Sequence, residues 1–320
     1  MSRKREQHPC DCGGHAHDHE HAHGHEHSPA QPQPHKHGHP QGGVSSHARG
    51  RPHAHGHSHE HGDERHDHSH RYGGGISAGG KVLTVRAVAG LSGDMILAGL
   101  ARMAELTAEE LEVLVAELRL PALMNSLRLE ERAVNAVRGW GCRIDLPHEH
   151  AHRTLADIEA LITASDMPAE AKEFSGRAFR ILAEAEAAVH GTAPSEIAFH
   201  EVGALDSILD TCLACRIFTL LKPDRFVCSP LPLADGMIRC AHGLMPSPAP
   251  AVLRLLEGVP VRGFAGEGET VTPTALSLLK ALGAEFGPWP EMVVHKTAIS
   301  YGTKIFVNAP NGAVWSLGRR

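Results

Sequence analysis

The sequence predicts a mixed α/β fold, a domain of alternating helices and short strands, preceded by a disordered His-rich tail. Three observations predict it. Segments of helical period and of strand period take turns from residue 81 onward. No internal repeat interrupts that order. The composition also breaks near residue 80: nearly all Leu, Ile, Val, Phe and Trp lie in Lys81 to Arg320, whereas Pro, Gly, Ser and His dominate before it. A segment so poor in apolar side chains cannot pack a core. The expected division is therefore a metal-binding tail at 1–80 and a folded domain at 81–320.

The domain opens on a strand through Val82, Leu83, Val85 and Val88, closed by Gly90. Ser92 stands at a helix N-cap ahead of Ile96, Leu97, Leu100 and Met103. Thr107 and Glu110 form a capping box for a helix carrying Leu111, Leu114, Val115 and Leu118, which Pro121 stops. Trp140, Cys142, Ile144 and Leu146 alternate with Gly141, Arg143 and Asp145 as a half-buried strand. A helix at Leu155 to Leu161 and a longer one from about Ala169 to His190, capped by Gly191, follow. Another helix runs from about Ala204 to Leu221. Phe226 to Leu233 and Met237 to Cys240 read as strands. Ser247-Pro248 and Thr272-Pro273 each pair an N-cap hydroxyl with Pro at the first helical position. Met292 to Ile299 reads as the final strand.

Composition narrows the function. The formal charge of −6 argues against a nucleic-acid surface. No stretch reaches the roughly 18 uninterrupted apolar residues of a membrane span. Seven irregularly spaced cysteines with no secretory signal read as reduced thiols in the cytoplasm. Twenty of the 27 histidines precede Tyr72, many in alternation, as in His15, His17, His19, His21, His23, His25 and His27. Imidazoles in such rows suit nickel, zinc, copper or cobalt, and a tract without fixed geometry does not select among them.

Four constellations in the folded part could carry chemistry. In His200 to Asp210 (HEVGALDSILD), Asp206 and Asp210 share a helix face, with His200 and Glu201 just ahead of that helix. An imidazole and up to three carboxylates there make either a divalent-metal site or a cap and a solvated acid. Cys240 and His242 would point the same way on an extended segment, as a metal pair or as a structural thiol beside a surface imidazole. Cys212-x-x-Cys215 reads as core filling. His148 to Arg153 repeats the tail's chemistry, as a metal relay or a polar loop. Finally, Gly90 to Met95 (GLSGDM) is a strand–turn–helix in which Asp94 could orient a substrate or metal. It matches no Walker or dinucleotide pattern. A zinc-dependent hydrolase is a poor reading, since no convincing Ser/His/Asp or Cys/His nucleophile arrangement occurs.

Taken in order, GLSGDM, VHG at Val189 to Gly191, FHEVGALDSILD, GMIRCAHGLMPSPAPA at Gly236 to Ala251, GVPVRG at Gly258 to Gly263, GETVTPT at Gly268 to Thr274 and YGT at Tyr301 to Thr303 resemble the LarC-type nickel insertion protein family. The resemblance spans about residues 81–307. It implies insertion of Ni²⁺ into a pyridinium bis-thiocarboxylate mononucleotide, giving a nickel-pincer cofactor in a CTP-dependent, lyase-type reaction. It further implies His200, Glu201 and Asp94 in catalysis, and His200, Glu201, Asp206, Asp210, Cys240 and His242 on the metal, with the tail gathering nickel. Two motifs depart from the family pattern. Arg86 stands where an acidic residue is usual, which would set a cation near Asp94, and Ala275 replaces a glycine. Family members continue into a second, nucleotide-linked domain, so a separate polypeptide is an expected partner, as is a homo-oligomer. The alternative is a nickel storage or delivery protein without chemistry.

Overall fold

A computed structural model describes residues 79–146, 153–199, 203–240, 243–304, 306 and 309–320. These lie within one compact unit, Arg71–Arg320. The chain order is β1 (Lys81–Ala87), α1 (Gly93–Met103), α2 (Ala108–Ala116), β2 (Leu127–Val134), β3 (Val137–Ile144), β4 (Arg153–Thr154), α3 (Leu155–Ala164), α4 (Ala169–His190), β5 (Ala198–Phe199), α5 (Leu205–Leu221), β6 (Arg225–Cys228), β7 (Leu231–Asp235), β8 (Met237–Cys240), β9 (Gly243–Pro246), α6 (Pro250–Leu255), β10 (Val261–Glu267), α7 (Pro273–Ala281), β11 (Glu285–Phe286), β12 (Val293–Tyr301) and β13 (Gly312–Arg319). The predicted mixed α/β class is observed.

Seven strands form the main sheet in the order β11-β6-β1-β13-β12-β3-β2. The β11/β6, β6/β1 and β12/β3 pairs are parallel; β1/β13, β13/β12 and β3/β2 are antiparallel. Helix α1 lies on β13, β12 and β3 and carries α5 on its other side, with α4 and α7 packed beyond. Gly99 permits this approach: a Cβ there would sit 2.1 Å from the Trp315 ring of β13. The buried Trp315 Nε1 donates to Ser300 Oγ at 2.9 Å, so this close packing is also polar-satisfied.

Local signals mostly translate. Thr107 accepts from the Glu110 amide and Glu110 reaches back, completing the capping box. Gly191 ends α4 in the left-handed region at φ 68°. Thr272 accepts from the Ala275 amide at the start of α7. Other expectations need correction. Helix α6 starts at Pro250 with Ala249 at its N-cap, so Ser247-Pro248 lies ahead of the helix in a cis peptide. The predicted strand over Phe226 to Leu233 is two strands, each in a different sheet. Met292 to Ile299 is not the last strand, since β13 follows it and takes the sheet's centre. Strand β2 also joins the sheet, turning into β3 through Asn135 and Ala136, both at positive φ.

Among the described residues, no helix is long and apolar enough to cross a membrane. The described cysteines, Cys142, Cys212, Cys215, Cys228 and Cys240, are free thiols.

Candidate metal and substrate site

Two loops are zipped together where α1 and α7 begin. The Leu91 amide donates to Thr270 O at 2.9 Å and the Thr272 amide returns to Leu91 O at 3.1 Å. Gly90 must be glycine there, because a Cβ would lie 2.3 Å from Thr270 O. The zip joins GLSGDM to GETVTPT, far apart in sequence, and brings the α1 N-terminus against α5. Gly93 completes the approach, its Cβ position lying 3.1 Å from Asp210 Oδ2.

An acidic cleft of about 410 Å³ opens at that junction. Asp94, Asp206 and Asp210 line it with Cys142 of β3, Glu269, Lys304 and Asn311. Burial raises Asp210 well above the usual carboxylate range, and the neighbouring Asp94 and Asp206 charges push it further. Burial also raises Asp94, while the Ser92 hydroxyl, the Met95 amide and the Arg132 charge pull it back. Ser92 thus bonds the Asp94 carboxyl and makes no side-chain cap bond of its own. The Cys142 thiol is raised well above its usual range by burial and by the charges of Asp210 and Asp94.

Asp210 Oδ1 and Asn311 Oδ1 are both buried without a hydrogen-bond partner, and both residues line this cleft. Orphaned buried acceptors are rare in folded proteins. A cation seated between them would satisfy both. The donor set is three carboxylates, an amide oxygen and a thiol, of which only the thiol favours a softer metal over magnesium or calcium. Among the described residues, no group of three or more His, Cys, Asp or Glu side chains closes into a ready-made metal cage.

The structure therefore brings together Asp94, Asp206 and Asp210 from the expected set. Cys240 lines a different, larger cavity next door. His200, Glu201, His242, the His148 to His152 run and the tail histidines lie outside the described residues. Flanking them, Arg153 donates to Gly203 O at 2.7 Å and β4 pairs with β5, which positions the entry to α5. Cys212 and Cys215 are buried in the core, as expected, with burial holding the Cys212 thiol up at about 12.

Arg86 is not the cation beside Asp94. It reaches Gly287 O at 2.9 Å and lies over Trp289, and it lines neither cavity. The cation acting on Asp94 is Arg132, whose guanidinium folds over Gly141 to reach Cys142 O at 3.1 Å and Gly302 O at 3.3 Å. Ala275 is fully buried in α7. Sequence reasoning missed Arg132, Cys142 as a site thiol, Lys304 and Asn311; the GETVTPT and YGT motifs beside the last two were the available signal.

This fold defines a mixed α/β protein in which an acidic cleft lies beside a larger cavity. The chain belongs to the nickel insertion protein family, whose sequence model matches residues 83–317. It is 42% identical over 242 residues to a "putative nickel insertion protein" of Myxococcus xanthus, covering 75% of this chain and 61% of that protein. A similarly named protein of Geotalea daltonii is 40% identical over 231 residues, covering 72% and 59%. The "pyridinium-3,5-bisthiocarboxylic acid mononucleotide nickel insertion protein" of Staphylococcus epidermidis is 34% identical over 231 residues, covering 72% and 58%. The chain thus spans about three-fifths of the length of these relatives. No solved structure matches.

Proposed function

We propose that this chain performs the metal-handling part of nickel insertion into pyridinium-3,5-bisthiocarboxylic acid mononucleotide, with Ni²⁺ as substrate. The observation that carries the reading is the convergence of the family's separate motifs on one cleft holding Asp94, Asp206 and Asp210 with two unpartnered buried oxygens. Asp206 and Asp210 hold the incoming ion, and Cys142 offers a softer donor. His200 and Glu201, just ahead of Asp206 in the sequence, add the imidazole and carboxylate that nickel accepts.

Forming the carbon–nickel bond releases the ring proton, and a base must take it. Asp94, raised by burial, fits that role better than an ordinary carboxylate because its proton affinity lies closer to neutral pH. His200 and Glu201 are the further candidates. The tail histidines His15, His17, His19, His21, His23, His25 and His27 gather nickel, and Cys240 and His242 form a second holding point. In this reading the reaction is of the lyase type and depends on CTP, whose binding falls to a second domain or separate polypeptide. The protein works as a homo-oligomer in the cytoplasm.

The test is to incubate the purified chain with Ni²⁺, CTP and the organic precursor, with and without a separately made second domain. Mass spectrometry then reads the gain of nickel with loss of a proton. Product in either sample supports the enzyme reading. The His-rich tail favours one other reading, a nickel store without chemistry. That reading gains if neither sample gives product and tight nickel binding vanishes on deleting residues 1–72. An insertion enzyme so truncated keeps its activity at high nickel and loses it mainly at low nickel.

A further inference from the structure

Beside the acidic cleft lies a second cavity of about 910 Å³, sharing Glu269 and Lys304 with it. Its size falls in the range of roughly 300–1,000 Å³ typical of small-molecule sites. Val189, Ile238 and Met245 give it apolar walls, and Arg239 and Lys304 line it as cations. Lys304 is fixed at the boundary, its Nζ donating to Glu267 O at 2.9 Å and Glu269 O at 3.0 Å. The same ammonium lies 4.9 Å from the Phe306 ring centroid, on the side of the acidic cleft that Phe306 lines.

We infer that this larger cavity seats the organic reactant, a pyridinium mononucleotide. Its thiocarboxylate end lies at Lys304, against the acidic cleft, and its phosphate at Arg239. The inference rests on the proposed function and divides the two reactants between two chambers.

Charge decides the division. The organic reactant carries a phosphate and two thiocarboxylates, whereas the cleft presents Asp94, Asp206 and Asp210. A cation satisfies the buried Asp210 Oδ1 that has no partner and an anion cannot, so the empty cleft suits the metal and not the organic reactant. The larger cavity offers the opposite sign at two points. Four glutamates, Glu186, Glu196, Glu267 and Glu269, line it as well, so the attraction is local to those two cations. Glu186 faces His190 at 3.7 Å, and Glu196 accepts from the Ala193 amide. Glu267, which also lines the cavity, is suited to accept from ribose hydroxyls. Lys304, lining both chambers, draws the thiocarboxylates to the one place where they meet a metal held by Asp210.

Isothermal titration of the full chain with the nickel-free pyridinium-3,5-bisthiocarboxylic acid mononucleotide, its dephosphorylated nucleoside, and Ni²⁺ alone tests the assignment. Arg239→Ala weakens the mononucleotide about tenfold or more and leaves the nucleoside unchanged, because only the phosphate contact is lost. Val189→Trp, which fills the cavity from the exposed end of α4, weakens both organic ligands. Neither variant changes the part of the nickel binding that Asp210→Asn removes. Asp210→Asn does the converse, weakening nickel and leaving the mononucleotide bound.

Unchanged mononucleotide affinity in both Arg239→Ala and Val189→Trp, with folding verified by thermal melting, would overturn the assignment while leaving the proposed reaction intact. Absence of mononucleotide binding by the unmodified chain, with normal nickel binding, would instead strike the proposed reaction.

Discussion

The acidic cleft and the cavity beside it share a wall but are built in opposite ways. The cleft is made by the first turn of α1, the first two turns of α5 and the inner face of β3, joined by the Leu91–Thr272 zip. It sets Asp210, whose buried Oδ1 has no partner, against Asp94, which the Ser92 hydroxyl and the Arg132 charge hold. The cavity is made by element ends, chiefly the β8 and β9 hairpin, the α4 C-terminus and the α6 start. It places its charges at the solvent boundary. Unpartnered buried oxygens thus sit on the cleft's packed elements, and the exposed charged groups on the cavity's element ends.

The largest effect that sharpens this contrast is on turnover. Asp94→Ala lowers the insertion rate by about 10²–10⁴-fold, the usual worth of a positioned proton acceptor. Affinity for the nickel-free mononucleotide stays within about twofold in the same titration. A fall in mononucleotide affinity as large as the fall in rate would erase the separation between the two chambers.

The next effect is on stability. Asp210 holds its proton more tightly folded than unfolded, so the folded state binds more protons at intermediate pH. Stability is therefore highest below the ordinary carboxylate range and declines as pH rises from there through the raised folded value. Asp210→Asn removes that decline. Without metal, the variant is more stable than the parent by about 1–3 kcal/mol at neutral pH, and no more stable near pH 4. Melting curves at the two pH values check it. Equal shifts at both would show that Asp210 is satisfied in solution, and the cleft would then be no more strained than the cavity.

Much of the fold was legible, and the reasons for the gaps are physical. The Thr107–Glu110 capping box, the Gly191 stop and Thr272-Pro273 are local chemistry, so they survive translation into structure. Strand β13 was not legible because it is covered on both faces, which removes alternation, and its key fit is to Gly99 across the chain. Strand β2 is a charged sheet edge whose turn, Asn135-Ala136, lacks the usual glycine. In the site, Asp206 and Asp210 were readable from helical spacing, and Asp94 from its turn. Cys142, Arg132 and Asn311 reach the cleft only through pairing of β3 with β12, the side chain crossing Gly141, and the loop after β12. No spacing along the chain encodes those contacts.

The thiol in the cleft gives a smaller, sharper test. Cys142→Ser keeps the volume but hardens the donor, and nickel affinity falls about tenfold, roughly 1.4 kcal/mol. Magnesium affinity does not fall, since carboxylates carry it. Equal losses for the two metals would make Cys142 a wall and not a donor.

The smallest effect comes from the other pair of thiols on the same chain segment. Cys212 and Cys215 follow Asp210 on α5 but point to the opposite side of the helix, where both are fully buried with the Ser175 hydroxyl in reach. Neither thiol lines the cleft or the larger cavity, so an ion held in either does not reach them. Cys212→Ala therefore leaves nickel affinity unchanged and costs about 1 kcal/mol of stability, or about 2–4 °C in melting temperature for a domain of this size. A loss of bound nickel in Cys212→Ala would place metal chemistry on both sides of α5. The division of one helix into a strained polar edge and an inert apolar one would then fail.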